Sequence, residues 1–251
     1  MSCFLINPKI FKKSLILFGL ISFYSHGAPF EIKVHDELIA EYQQSAYEIE
    51  TNLYPTLVLP NQKANVFQTR LEYGYGVSRN SELGINVYLS NYNGDSFFNG
   101  GKISHMYIPT HDEKGLWHYG VKNEINYIKD IGGAETVFYE FTPILAMQLQ
   151  EWRFTFNPSI DITLNKTSYV SFSPSAKLVY NLTNMLDIGA EYYTDNLPMK
   201  DLYSISQQPN TAYLVMNSKF GNSVFNFGIG KGLTSTSDNW VLKMIASLSF
   251  D

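Results

Sequence analysis

Eleven charged side chains carry the chemistry this sequence could perform: Arg70, Glu72, Lys122, Glu124, Glu140, Arg153, Asp161, Lys177, Asp187, Glu191 and Lys243. They fall in polar series interleaved with apolar ones, so on extended backbone they share one face while apolar side chains cover the other. If the polar face lines an enclosed space, charges of both signs on neighbouring strands pair with one another rather than form the single-sign ring that selects ions. Structural ion pairing across a narrow interior is the first reading of the set. A path for a small solute is the second.

Other chemistries have less behind them. His35, Asp36 and Glu37 are metal-binding types, but three consecutive residues cannot all point one way, so no metal site is assigned. A hydrolase needs a nucleophile, a base and an orienting group within hydrogen-bond reach. Besides His35, the histidines beyond residue 27 are His105, His111 and His118; His111 falls in an expected periplasmic turn and His118 at the periplasmic end of its strand, so only His105 sits at membrane depth, and no G-x-S-x-G elbow accompanies it. Acidic pairs such as Glu48 with Glu50, and Asp238, are too common to signal protease chemistry. The enzyme reading therefore ranks last, and turnover abolished by His105→Ala would revive it. No nucleotide motif supports active transport, and no cofactor is called for. A net charge of -5 without a basic patch excludes nucleic acid as a partner.

The elements that must hold the charges are strands. In "EWRFTFNPSIDITLN", residues 151–165, Trp152, Phe154, Phe156, Pro158, Ile160, Ile162 and Leu164 alternate with Arg153, Thr155, Asn157, Ser159, Asp161 and Thr163. "SYVSFSPSAKLVYNL" and "NWVLKMIASLSF" repeat the pattern. It predicts twelve strands, at 46–54, 64–77, 81–92, 97–109, 116–129, 136–149, 152–165, 168–181, 185–194, 210–219, 222–231 and 239–250, in one domain. The connections at Arg79-Asn80, Gln150-Glu151, Thr183-Asn184 and Gly221-Asn222 are tight and alternate with generally longer ones, such as 55–63, 195–209 and 232–238. "THDEKG" is long for the tight side, and "KT" near 166 short for the other. Short turns on one side, longer loops on the other and an even strand count describe an outer-membrane barrel with both termini on the short-turn side.

Composition points the same way. Charged residues are 16% and aromatics 15% of the 251 residues, against about a quarter charged in an ordinary soluble domain. Many expected strands exceed the roughly 9–11 residues that a tilted strand needs to cross a bilayer, and Trp117, Trp152, Trp240, Tyr127 and Tyr180 sit near the ends of the apolar series, where aromatic girdles lie. The fold expected is an all-β, membrane-spanning, antiparallel up-and-down barrel over 46–251, its apolar face toward outer-membrane lipid; an exported soluble β-sandwich is the alternative. Residues 1–27 read as a signal peptide: Lys9, Lys12 and Lys13 precede the apolar run "SLILFGLISFY", and Ser25 and Gly27 suit cleavage before Ala28. Cys3 is the single cysteine and precedes that run, so no disulfide framework is expected. Residues 28–45 show neither clear alternation nor a helical stripe, and are expected to stay periplasmic or to plug the lumen.

The C-terminal "MIASLSF" resembles the sorting strand of Gram-negative outer-membrane β-barrel proteins. That resemblance implies the barrel-assembly machinery as a partner, with weaker recognition because Asp251 follows Phe250 where the family pattern ends on the aromatic. "EIKVHDELIAE", "NPSIDITL", "GAEYY" and "GIGKGLTSTSDNWVLKMI" resemble pieces of an uncharacterised proteobacterial group, loosely similar to transporter-like barrels associated with aromatic-compound degradation. The group supplies no site residue. The function expected is passive or gated passage of a small solute. The alternative is recognition through the outer loops "NLPMKDLYSISQQPN" and "LTSTSDN".

Overall fold

The computed structural model describes residues 33–35, 43–59, 62–92, 94–109, 116–130, 132–165, 169–194, 197–198 and 208–250. The expected signal peptide and most of 28–45 lie outside them, as do Asp36, Glu37 and His111. Twelve long strands are present: β1 (Ser45–Leu59), β2 (Gln62–Ser78), β3 (Ser81–Tyr92), β4 (Asp95–Tyr107), β5 (Trp117–Lys129), β6 (Glu135–Leu149), β7 (Trp152–Thr163), β8 (Val170–Thr183), β9 (Leu186–Thr194), β11 (Asn210–Phe220), β12 (Ser223–Gly232) and β13 (Trp240–Phe250), with a two-residue β10 (Leu197–Pro198) between β9 and β11. Each long strand pairs antiparallel with the next, and β1 pairs with β13 from Ser45↔Phe250 to Leu53↔Leu242. The sheet is thereby closed and leaves no edge among its long strands.

Two departures from the expected elements have clear causes. Residues 55–63, expected as a loop, belong mostly to β1 and β2, which continue pairing to Leu59↔Gln62. Pro55 falls where the register shifts between Tyr54 and Leu57, and a bulge tolerates a residue that cannot donate to the ladder. β10 lies inside the expected loop 195–209 and prolongs the pairing of β9 with β8, Leu197 opposite Phe172.

The two faces of the wall settle which side meets lipid. Leu214, Trp117, Ile103, Ile229, Ile85 and Phe98 are all more than half exposed on the outside, whereas the most buried side chains are largely Glu, Lys, Arg, Asn, Ser and Thr. A soluble core has the opposite order. Across β2 to β6 the outward row Tyr73, Ile85, Ile103, Ile125 and Tyr139 runs in register, a band of aliphatic and aromatic surface. Aromatics gather at the end holding both barrel termini: Tyr47 lies tilted against Tyr73 at 5.1 Å and meets Phe250 edge-on at 5.5 Å, and Trp152 lies 4.9 Å from Tyr180. At the opposite, loop end Lys231 sits 4.7 Å above the Trp240 ring. Residues 233–239 are laced to the start of β11 there, with Ser237 Oγ accepting from the Asn210 backbone N–H at 2.8 Å and Thr234 Oγ1 donating to the Gln208 carbonyl at 2.7 Å.

Candidate functional site

Alternation along each strand turns all eleven charged residues inward. Arg70, Lys122, Glu124, Asp161, Lys177, Asp187, Glu191 and Lys243 are buried and Glu72, Glu140 and Arg153 half-buried. They do not make one site. Most of them are divided among three nodes around the wall.

The first node is built on Arg70 of β2. Its guanidinium binds Glu48 and Glu72, and Glu50 through Nε at 3.1 Å, while Nη1 also donates to Asn86 Oδ1 at 2.9 Å. Three carboxylates thus share one guanidinium. Glu48 takes two further donors, Ser247 Oγ at 2.5 Å and Lys33 Nζ at 2.8 Å. At the second node Glu124 lies between Lys102 at 2.7 Å and Lys122 at 2.9 Å. In the third, Glu191 of β9 meets Lys243 of β13, Lys177 of β8 at 3.7 Å and the Tyr193 hydroxyl at 2.7 Å.

Lys243 reaches Glu191 across two intervening strands because β12 is bare where the side chain passes. Gly228 is opposite Lys243 in register, and a Cβ there would stand 2.8 Å from its methylene carbons. Gly230 does the same for Tyr213, whose ring would lie 2.3 Å from an added Cβ. The Lys243 ammonium rests 5.4 Å and 5.2 Å from the Tyr193 and Tyr213 rings, within cation–π range. Tyr54, Val66, Val179, Tyr213, Val215 and Val241 pack with Tyr92 and Tyr193 into an apolar patch on the same half of the lumen. The third node is thus set among tyrosines and valines, and a smaller buried apolar cluster, Met106, Ile108 and Ile144, lies on the β4–β6 side.

Side chains in the middle of the lumen are cut off from solvent: Glu50 is 0% exposed, Arg70 and Glu124 1% and Lys243 4%. Part of what lies against them is the chain's own N-terminal segment. The Asn157 side chain of β7 accepts from the His35 backbone N–H at 2.7 Å through Oδ1 and donates to the His35 carbonyl at 3.0 Å through Nδ2. Val34, between His35 and the ion-paired Lys33, is 2% exposed.

Lys102, Lys33 and Asn157 are site members that charge pattern alone does not single out, and Glu48 with Glu50 reads in the sequence only as an acidic pair. For Lys102, Glu48 and Glu50 the signal was present: Ile103 and Tyr107, and Tyr47, Ile49 and Leu53, fix their strands' outward faces and turn these charges inward. Nothing local announces the Asn157 clamp. His105 stands on the outward face with Ile103 and Tyr107, while His118 points inward at the start of β5. Among the described residues no group of three His, Cys, Asp or Glu could hold a metal ion.

Neither a family model nor a curated protein sequence matches the chain. Among solved structures, the COG4313 outer membrane channel from Pseudomonas putida F1 superposes with a TM-score of 0.58 at 12% identity, over 88% of this chain and all of that one. The NanC porin superposes with a TM-score of 0.52 at 10% identity, over 82% of this chain and 99% of that one. LpxR from Salmonella typhimurium fits more loosely, with a TM-score of 0.46 at 10% identity over 82% and 99%. A closed barrel wearing an apolar belt is one of the few structures that can cross a bilayer with every backbone group paired. With the fold of outer-membrane barrels, this chain is a twelve-stranded β-barrel of a bacterial outer membrane.

Proposed function

We propose that the protein is an outer-membrane channel for a small solute, seen in a closed state. The observation that carries this reading is the inversion of the wall, a polar, ion-paired interior inside an apolar exterior. Twelve strands suit the role: about eight give a barrel filled by side chains and roughly 16–18 an aqueous pore, so here a modest rearrangement of side chains separates closed from open. The transporter-like resemblance of the sequence agrees with it, as does superposition on a structure described as a channel and on one described as a porin. No catalysis is assigned, because His105, the histidine of the hydrolase reading, faces the bilayer. Single-channel recording in planar bilayers tests the proposal. Refolded residues 28–251 should give discrete conductance steps, and ion substitution then reads their selectivity. Silence from folded, inserted protein, both in this form and in one beginning at residue 46, would sink the channel and send the search to the outer loops.

A further inference from the structure

Lys33, Val34 and His35 cross the barrel from wall to wall. The Lys33 ammonium is held on β1 by Glu48 and the His35 backbone on β7 by Asn157. In the closed sheet five long strands separate β1 from β7 in either direction, so the two anchors are diametrically opposite. The β7 anchor lies where the wall's own ladder is interrupted: pairing between β6 and β7 stops after Phe141↔Ile160 and resumes at Leu145↔Phe156. Pro143 and Pro158 fall in that gap and have no N–H to give. There the Asn157 amide offers one donor and one acceptor, as a neighbouring strand would, and the His35 peptide groups take both.

The β1 anchor is chemically specific. Glu48 belongs to the node in which three carboxylates share Arg70, and the group seated beside them is a primary ammonium from a segment that is not part of the wall. We propose that Lys33 is a tethered ligand: residues 33–35 form a strap that closes the lumen, and the Glu48 seat is the binding site for a solute carrying a primary ammonium group, which releases the strap by taking the place of Lys33. This rests on the channel reading and names its solute class. An ammonium with N–H donors fits, because Glu48 accepts a hydrogen bond as well as a charge; a quaternary ammonium has the charge without the donor.

The test is single-channel recording of refolded residues 28–251, with Lys33→Met and Asn157→Ala each releasing one anchor and a heat-shift gel confirming folding. Each variant should raise the open probability about tenfold, equivalent to ~1.4 kcal/mol of lost closure. The open probability of wild type should rise when sodium is replaced by ethylammonium at constant ionic strength, and stay at its sodium value in tetramethylammonium. Equal open probabilities in wild type and both variants, with conductance present, would overturn the strap and leave the channel standing. Opening of Lys33→Met with no difference between the two ammonium ions in wild type would overturn the assignment of the seat. Silence from every folded variant would remove the channel reading and the strap together.

Discussion

Glu191 is the residue on which the third node turns, since it lies between Lys177 and Lys243, and Tyr193 donates to it. Removing one partner of a buried ion pair leaves the other charged and uncompensated, at a cost of about 3–5 kcal/mol. Glu191→Gln should therefore lower unfolding stability in detergent micelles by about that much, read from tryptophan fluorescence against urea. Because the loss comes from the stranded cations, adding Lys243→Met should recover part of it, and the double variant should cost less than the sum of the singles. Additive losses would mean that the node does not act as a unit. Gly230 is a second sensitive point. Its missing side chain is the space the Tyr213 ring occupies, so Gly230→Val should drive that ring off the wall. Near-ultraviolet circular dichroism should lose tyrosine signal while the far-ultraviolet strand spectrum stays; an unchanged spectrum would mean that Tyr213 is not seated on Gly230.

Strands are where depth in the bilayer becomes readable. On β5, Ile125 lies mid-strand in the outward row with Ile103, and Trp117 begins the same strand on the same face at the girdle. A cationic side chain on the lipid face costs roughly 2–4 kcal/mol at the midplane and about 0–1 near the interface. Ile125→Arg should thus destabilise the protein in lipid vesicles far more than Trp117→Arg, and equal losses would mean that the strand does not cross the bilayer at this depth. Strand identity and facing were legible before the structure because the alternation is strict: in β7 the series Thr155, Asn157, Ser159, Asp161 and Thr163, polar in sequence, is the buried one. Ends were harder. Pro55 reads locally as a breaker, and only pairing with β2 shows that a bulge absorbs it. The three-node arrangement was not legible at all, because Lys243 and Glu191 are 52 residues apart and meet through bare glycine wall on β12. Spacing along a strand says which face a charge takes. It does not say which partner it finds.

At the scale of the molecule everything depends on one seam. Consecutive long strands pair with neighbours in the sequence, whereas β1 and β13 come from opposite ends of the barrel sequence and pair only when the sheet closes. Without that pairing two long unpaired edges would remain, which a bilayer does not tolerate. Ile49 lies opposite Ala246 in the seam, and residues directly opposite in an antiparallel pair have Cα atoms about 4.5–5.5 Å apart, inside the range a disulfide spans. The chain from residue 28 onward has no cysteine of its own. Ile49→Cys with Ala246→Cys in refolded residues 28–251 should therefore form a single bond that survives boiling without reductant. Closing a loop of nearly the whole barrel should stabilise the protein by ~5 kcal/mol on the chain-entropy model, visible as a raised urea midpoint that returns to the original value with dithiothreitol. Because only a closed sheet brings these residues together, absence of the bond in folded, vesicle-inserted protein would mean that the seam is open.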